Sequence, residues 1–157
     1  MPPSGGPALA QVPEPVSLIV AGTGTQAARF EALAESLGLG SRVQFLGEVD
    51  DDDLVALYAG ALAVVYPPFD EDFGYVTLEA FLSKKPVVTT ADAGEPATFV
   101  LDGINGRVTE PDASALADAI TDLATHRARA AAYGATGYDW ARQITWDHAI
   151  DRLVDGL

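Results

Sequence analysis

Leu62-Ala63-Val64-Val65-Tyr66-Pro67-Pro68-Phe69-Asp70-Glu71-Asp72-Phe73-Gly74-Tyr75-Val76-Thr77-Leu78-Glu79-Ala80 carries the reading of the fold. Residues 62–66 form a continuous apolar run with no alternation, which suits a strand covered on both faces, as in a parallel sheet. Pro67-Pro68 end it. A loop then carries Glu71 between Asp70 and Asp72, and a helix begins near Val76 with Glu79 one turn in. In a parallel α/β sheet, ligands bind at the carboxyl edge of the strands, where this loop lies.

The flanking sequence repeats the alternation. Residues 16–21 read as a strand ending at Gly22, and a helix follows with Phe30, Leu33, Ala34 and Leu37 on one face. Residues 43–46 are a second strand, and residues 50–59 a helix with Leu54, Leu57 and Tyr58 inward. After the central block come a strand at 86–90, a helical turn at 96–100 and a strand at 106–108. Asp112 then caps a helix with Leu116, Ala119, Ile120 and Leu123 on one face. The remainder reads as helical, interrupted around residues 134–137. Strands alternating with helices predict an α/β fold, a Rossmann-like parallel sheet flanked by helices. Residues 1–6 are rich in Pro, Gly and Ser, and residues 1–15 read as a poorly ordered segment or part of a first helix, ahead of one domain over 16–157.

Composition narrows the function classes. The 157 residues carry 9 Lys+Arg against 23 Asp+Glu, a net charge of −14. Nucleic acid and anionic lipid both need basic patches, so neither is an expected partner. With no cysteine and two histidines, thiolate chemistry is excluded and a histidine-rich metal site is not expected. No apolar stretch is long enough for direct membrane insertion, and no signal peptide is apparent. The expectation is a cytoplasmic domain.

Three features could carry chemistry. Gly22-Thr23-Gly24-Thr25-Gln26-Ala27 satisfies the dinucleotide fingerprint, with Glu48 placed after the second strand as a ribose ligand would be. The alternative is a tight turn that needs glycine for its backbone angles. The run Glu48, Asp50, Asp51, Asp52, Asp53 could collect a cation, but consecutive helix residues radiate in different directions. A solvated first turn, favoured by the helix dipole, accounts for it better. The third is the central block. Gly74 would let the backbone approach a ligand, and free N–H groups around residues 75–77 would face an anion. The alternative is a capped helix with Glu79 on its solvent face.

The combination of motifs is more specific than any one of them. Glu71-Asp72-Phe73-Gly74, Leu78-Glu79-Ala80-Phe81 and Lys85-Pro86-Val87-Val88 together resemble the retaining glycosyltransferases of family 4, which have a two-Rossmann-domain B-type architecture. Glu71 and Glu79, with seven residues between them, fit that family's paired glutamates. Arg42-Val43-Gln44-Phe45-Leu46-Gly47 and Asp102-Gly103-Ile104-Asn105-Gly106 resemble its R-V-x-F-x-G strand and D-G-x-x-G turn. The stretch 16–24 resembles its strand and glycine turn, which explains the dinucleotide pattern without a dinucleotide.

The resemblance implies a donor-binding domain for a nucleotide-diphosphate sugar, with no cofactor and no metal ligands. Glu71 would hold donor-sugar hydroxyls and stabilise charge during transfer. The backbone of Phe73, Gly74 and Tyr75 would line the sugar pocket, and Val76 and Thr77 would meet the diphosphate. Glu79 would bind the ribose, and Val49 would meet the base through its backbone. The sequence departs from the family in three ways. The Arg and Lys that clamp the diphosphate have no counterpart, since no cation precedes Arg29. The chain then reads as beginning within the first helix of the C-terminal domain, near Ala8-Leu9-Ala10, with the N-terminal acceptor domain not included. Gly94-Glu95-Pro96-Ala97-Thr98 replaces the family's Gly-Gly…Glu stretch. The isolated chain is therefore expected to lack transfer activity. A non-catalytic fragment or subunit needing a separate N-terminal domain is the second reading, and an NAD(P)-binding oxidoreductase domain the third.

Overall fold

The computed structural model describes residues 5–145. Helices and strands alternate through α1 (Gly5–Leu9), β1 (Leu18–Ala21), α2 (Ala27–Ser36), β2 (Val43–Gly47), α3 (Asp51–Gly60) and β3 (Val64–Val65). They continue through α4 (Tyr75–Leu82), β4 (Val87–Thr90), α5 (Pro96–Phe99), β5 (Gly106–Thr109), α6 (Ala113–Thr125) and α7 (Arg127–Ala141). Every strand pairing is parallel, as the alternation predicts. The ladder is nevertheless broken. β1 pairs with β2 in one sheet, and β3, β4 and β5 form another.

Burial follows this division. β4 is paired on both sides, and all four of its residues are buried. β1 and β3 are each paired on one side only, and none of their residues is fully buried. The larger core cluster joins Val88 of β4 to Leu116, Ala119 and Leu123 of α6, at the spacing the sequence predicts. The same cluster takes in Ala8, Leu9 and Val12. The N-terminal stretch thus includes a short helix, and Ala8 and Leu9 of it are seated in the core. Arg42 ties its exit in place, donating from Nη2 to the Val12 carbonyl at 2.8 Å and from Nε to Val16 at 3.0 Å.

Helix α7 corrects the expectation of an interruption near residues 134–137. It runs unbroken from Arg127 to Ala141. Gly134 and Gly137 are there for close packing, not to end the helix. A Cβ on Gly137 would strike the Phe81 ring, and one on Gly134 would strike the Lys84 carbonyl. The two glycines let α7 lie directly on α4 and on the turn that follows it. Trp140 completes the contact, edge-on to Phe81 at 6.0 Å and against Phe99 at 5.4 Å.

The caps are as expected at two helices. Asp112 accepts from the Ala115 N–H and Asp50 from the Asp53 N–H, both at 2.9 Å. The rest of the acidic run, Asp51, Asp52 and Asp53, is exposed on the first turn of α3. His126 is exposed at the end of α6. Its Nδ1 lies 3.0 Å from Asp122, which also receives Arg107 and Arg129.

Candidate functional site

The loop between β3 and α4 is built to turn sharply and then hold still. Gly74 caps α4 in the left-handed conformation, φ 71°. A Cβ there would lie 2.5 Å from the Pro96 ring and 3.2 Å from Tyr66, so both conformation and space demand glycine. The loop is laced to the one after β4. The N–H groups of Asp70 and Glu71 donate to Asp92 and Ala93, and the Glu95 N–H donates back to the Glu71 carbonyl, all at 3.0 Å. Gly94, at φ 79°, permits this crossing, because its Cβ would sit 2.5 Å from the Glu71 carbonyl oxygen. The Glu71 backbone is therefore fixed from both sides.

Each of the two glutamates faces a tyrosine. The Tyr58 hydroxyl donates to Glu79 Oε2 at 2.8 Å. The Tyr66 hydroxyl lies 3.5 Å from Glu71 Oε2, a long contact. Burial raises the Tyr58 hydroxyl well above the ordinary phenol range, and the Glu79 carboxylate adds to it. Tyr66 is raised by burial and by the charge of Glu71. Both hydroxyls keep their protons at any physiological pH and act as permanent donors.

Sequence reading missed both tyrosines. Tyr58 was counted among inward apolar residues and Tyr66 among the strand. The available signal was a phenol at a strand's carboxyl end and another at the end of a helix that precedes a strand.

The expected free N–H groups at residues 75–77 need one correction. The Thr77 N–H is taken by the Gly74 carbonyl at 2.9 Å. Tyr75 and Val76, the first two helical residues, have no acceptor within the helix. The Thr77 side chain is fully buried, and its hydroxyl has no hydrogen-bond partner. A buried hydroxyl left alone costs about 1–3 kcal/mol.

The predicted residues fall into two neighbouring sets. Val49, Val76 and Glu79 line one large groove of about 1330 Å³, together with Glu48, Tyr58 and Tyr66. Glu71, Phe73 and Tyr75 lie on the loop beside it, reached through Tyr66. The Phe73 ring packs on Tyr75 at 4.7 Å and on Phe99 at 5.4 Å. Among the described residues lining the groove, Arg127 is the only cation. Lys85 is committed to the Ala59 carbonyl at 2.9 Å, and Lys84 lies 4.8 Å from the Tyr138 ring centre. Among the described residues no His/Asp/Glu cluster could hold a metal ion, and no helix is long and apolar enough to cross a membrane.

Comparison with known proteins decides the family. The model of the glycosyl transferases group 1 matches residues 7–140. This chain belongs to that family. Two relatives named D-inositol 3-phosphate glycosyltransferase are close in sequence. That of Mycolicibacterium gilvum is 37% identical over 79% of this chain and 28% of its own. That of Mycobacterium avium is 36% identical over 88% of this chain and 34% of its own. The chain thus spans about a third or less of the relatives it matches.

Among solved structures, Anabaena Alr3699/HepE in complex with UDP and glucose superposes with a TM-score of 0.85 at 29% identity, over all of this chain and 46% of that one. WaaG, a glycosyltransferase involved in lipopolysaccharide biosynthesis, gives 0.78 at 31% identity, over 87% of this chain and 38% of that one. Helix α2 starts at Ala27, the last residue of the glycine fingerprint, and its cap Gln26 makes no side-chain bond to it.

Proposed function

We propose that this domain binds the donor of a retaining, family 4 glycosyl transfer, a nucleoside-diphosphate sugar, and serves as the donor half of a longer transferase. The observation that carries the reading is the start of α4, where Gly74 caps the helix and the N–H groups of Tyr75 and Val76 have no helical acceptor, flanked in sequence by Glu71 and Glu79. The leaving diphosphate becomes more anionic as the sugar turns oxocarbenium-like. Backbone N–H groups fixed at a helix start stabilise the anion without reorganising. Glu71, on its laced loop, stabilises the sugar end and holds its hydroxyls. Glu79, steadied by Tyr58, accepts from the ribose hydroxyls, and Val49 offers backbone to the base across the groove. The UDP–glucose complex of a structural neighbour supports a uridine nucleotide as the first probe.

Calorimetry with UDP tests the site. Glu79→Gln is expected to weaken binding about tenfold, as loss of a charged acceptor does. Unchanged affinity counts against the ribose role. A transfer assay with a panel of sugar nucleotides tests the half-enzyme claim, which robust turnover by this chain alone would sink.

The broken sheet favours one variant of this reading. The domain reaches its full fold, and its activity, only with polypeptide beyond these 157 residues. Size-exclusion with light scattering checks it, since a stable monomer that turns over substrate argues for self-sufficiency.

A further inference from the structure

The two phenol–carboxylate pairs of the site differ in one respect. Tyr58 and Glu79 meet at 2.8 Å, a closed hydrogen bond. Tyr66 and Glu71 stand 3.5 Å apart, at the outer limit of a bond. That separation is set by the backbones behind the two side chains. Tyr66 follows β3 directly. Its N–H donates to the Val88 carbonyl at 2.9 Å, and its carbonyl accepts from the hydroxyl of the fully buried Thr89 at 2.8 Å. Its ring lies against Gly74, where a Cβ would come within 3.2 Å. Glu71 is held by the loop after β4 through both its N–H and its carbonyl. Among the described residues neither side chain has a second hydrogen-bond partner. Tyr66 also lines the groove with Val76 and Glu79, so the open pair borders the space assigned to the donor.

We infer that Tyr66 is a specificity-determining residue for the donor sugar: its phenol and the Glu71 carboxylate together take one sugar hydroxyl, which accepts from Tyr66 and donates to Glu71. The inference rests on the donor role proposed above, and it gives Tyr66 a contact that the paired glutamates alone do not require. The chemistry is that of an unmatched donor beside an unmatched acceptor. Burial and the charge of Glu71 keep the proton on the phenol, so Tyr66 donates. A carboxylate accepts only, whereas a hydroxyl does both at one oxygen. One oxygen about 2.8 Å from each group spans the 3.5 Å between them. It replaces a long contact by two good ones, one of them to a charged group. A sugar with hydrogen at that position leaves both protein groups without a full partner, and such a site rejects it. The donor selected is therefore a sugar with a free hydroxyl at the position Glu71 faces.

Calorimetry of this chain with UDP and with UDP-glucose separates the sugar end from the nucleotide end. Tyr66→Phe removes the hydroxyl and keeps the ring against Gly74. UDP affinity is expected to stay at the parent value. UDP-glucose affinity should fall about threefold to tenfold, the worth of one hydrogen bond. Deoxy analogues of UDP-glucose, each lacking one sugar hydroxyl, complete the cycle. Tyr66→Phe should cost nothing with the analogue that lacks the paired hydroxyl, and its full factor with the others.

Three results overturn the inference. In the first, Tyr66→Phe binds UDP-glucose as the parent does. In the second, UDP affinity falls by the same factor as UDP-glucose affinity, which makes Tyr66 a support of the loop. In the third, every deoxy analogue shows the same loss, so Tyr66 acts through Glu71 and touches no sugar hydroxyl. Each of these leaves the donor role standing. A parent chain that binds neither UDP nor UDP-glucose removes that role, and this inference with it.

Discussion

The Tyr58 hydroxyl and the Glu79 carboxylate meet at 2.8 Å and join the end of α3 to the middle of α4. The bond holds an otherwise exposed acid in one orientation. Tyr58→Phe removes that donor and little else. UDP affinity should fall about threefold to tenfold, the value of one hydrogen bond to a charged group. Calorimetry reads the affinity, and a thermal melt should show the fold intact.

Thr77 separates stability from binding. Thr77→Val replaces the orphan hydroxyl by a methyl of nearly the same shape. The free protein should hold its stability or gain about 1 kcal/mol, because a buried unpaired donor is removed. Affinity for UDP should hold in the same variant, because the hydroxyl is closed to any ligand. Urea melts with and without UDP measure both quantities, and a loss of stability in the free state would show that the hydroxyl is already satisfied.

Gly137 reverses the usual helix rule. Gly→Ala inside a helix ordinarily stabilises by about 0.5–1 kcal/mol. Here the added Cβ meets the Phe81 ring, itself fully buried. Overpacking of that kind costs about 1–3 kcal/mol and outweighs the propensity gain. Gly137→Ala should therefore unfold at lower urea.

Gly94→Ala should loosen the loop that fixes Glu71. Its φ of 79° strains a side chain, and the Cβ collides with the Glu71 backbone. A loss of about 1–3 kcal/mol follows from the strain alone. The bond from Glu95 to Glu71 should open with it, so hydrogen exchange at Glu95 should quicken.

Asp122 sets an acid limit. Burial pushes its carboxyl up, but the Arg129 hydrogen bond, with the charges of Arg129, His126 and Arg107, outweighs burial and holds it below the usual range. A carboxyl depressed in the folded state adds stability that is present above its unfolded value, about 4, and lost as pH falls through the folded one. Asp122→Asn should cost about 1 kcal/mol at pH 7. The gap to the parent should close on acidification, as paired urea melts across pH would show.

The alternation of strands and helices, the parallel pairing and two of the caps were legible because each is written in local pattern. Residues 62–66 and 86–90 are apolar runs between turn signals, and Asp50 and Asp112 stand where caps belong. What stayed hidden depends on distant partners. Gly134 and Gly137 look like helix breakers until α4 is set against them. Tyr58 and Tyr66 look like core until the two glutamates arrive. Ala8, Leu9 and Val12 show no period over so short a helix, yet they meet α6, more than a hundred residues later. The gap between β1 and β3 is invisible in the sequence, since each strand reads as a normal interior strand.

The seating of α7 on α4 also has a meaning in time. The helix that begins at Tyr75 presents the anion-facing end of the site, and its back is covered by Gly134, Gly137 and Trp140. A growing chain makes Glu71, Thr77 and Glu79 early and must wait some sixty residues for the surface that steadies them. Any nascent chain stopped before α7 carries every group proposed to contact the donor and no firm place to hold them.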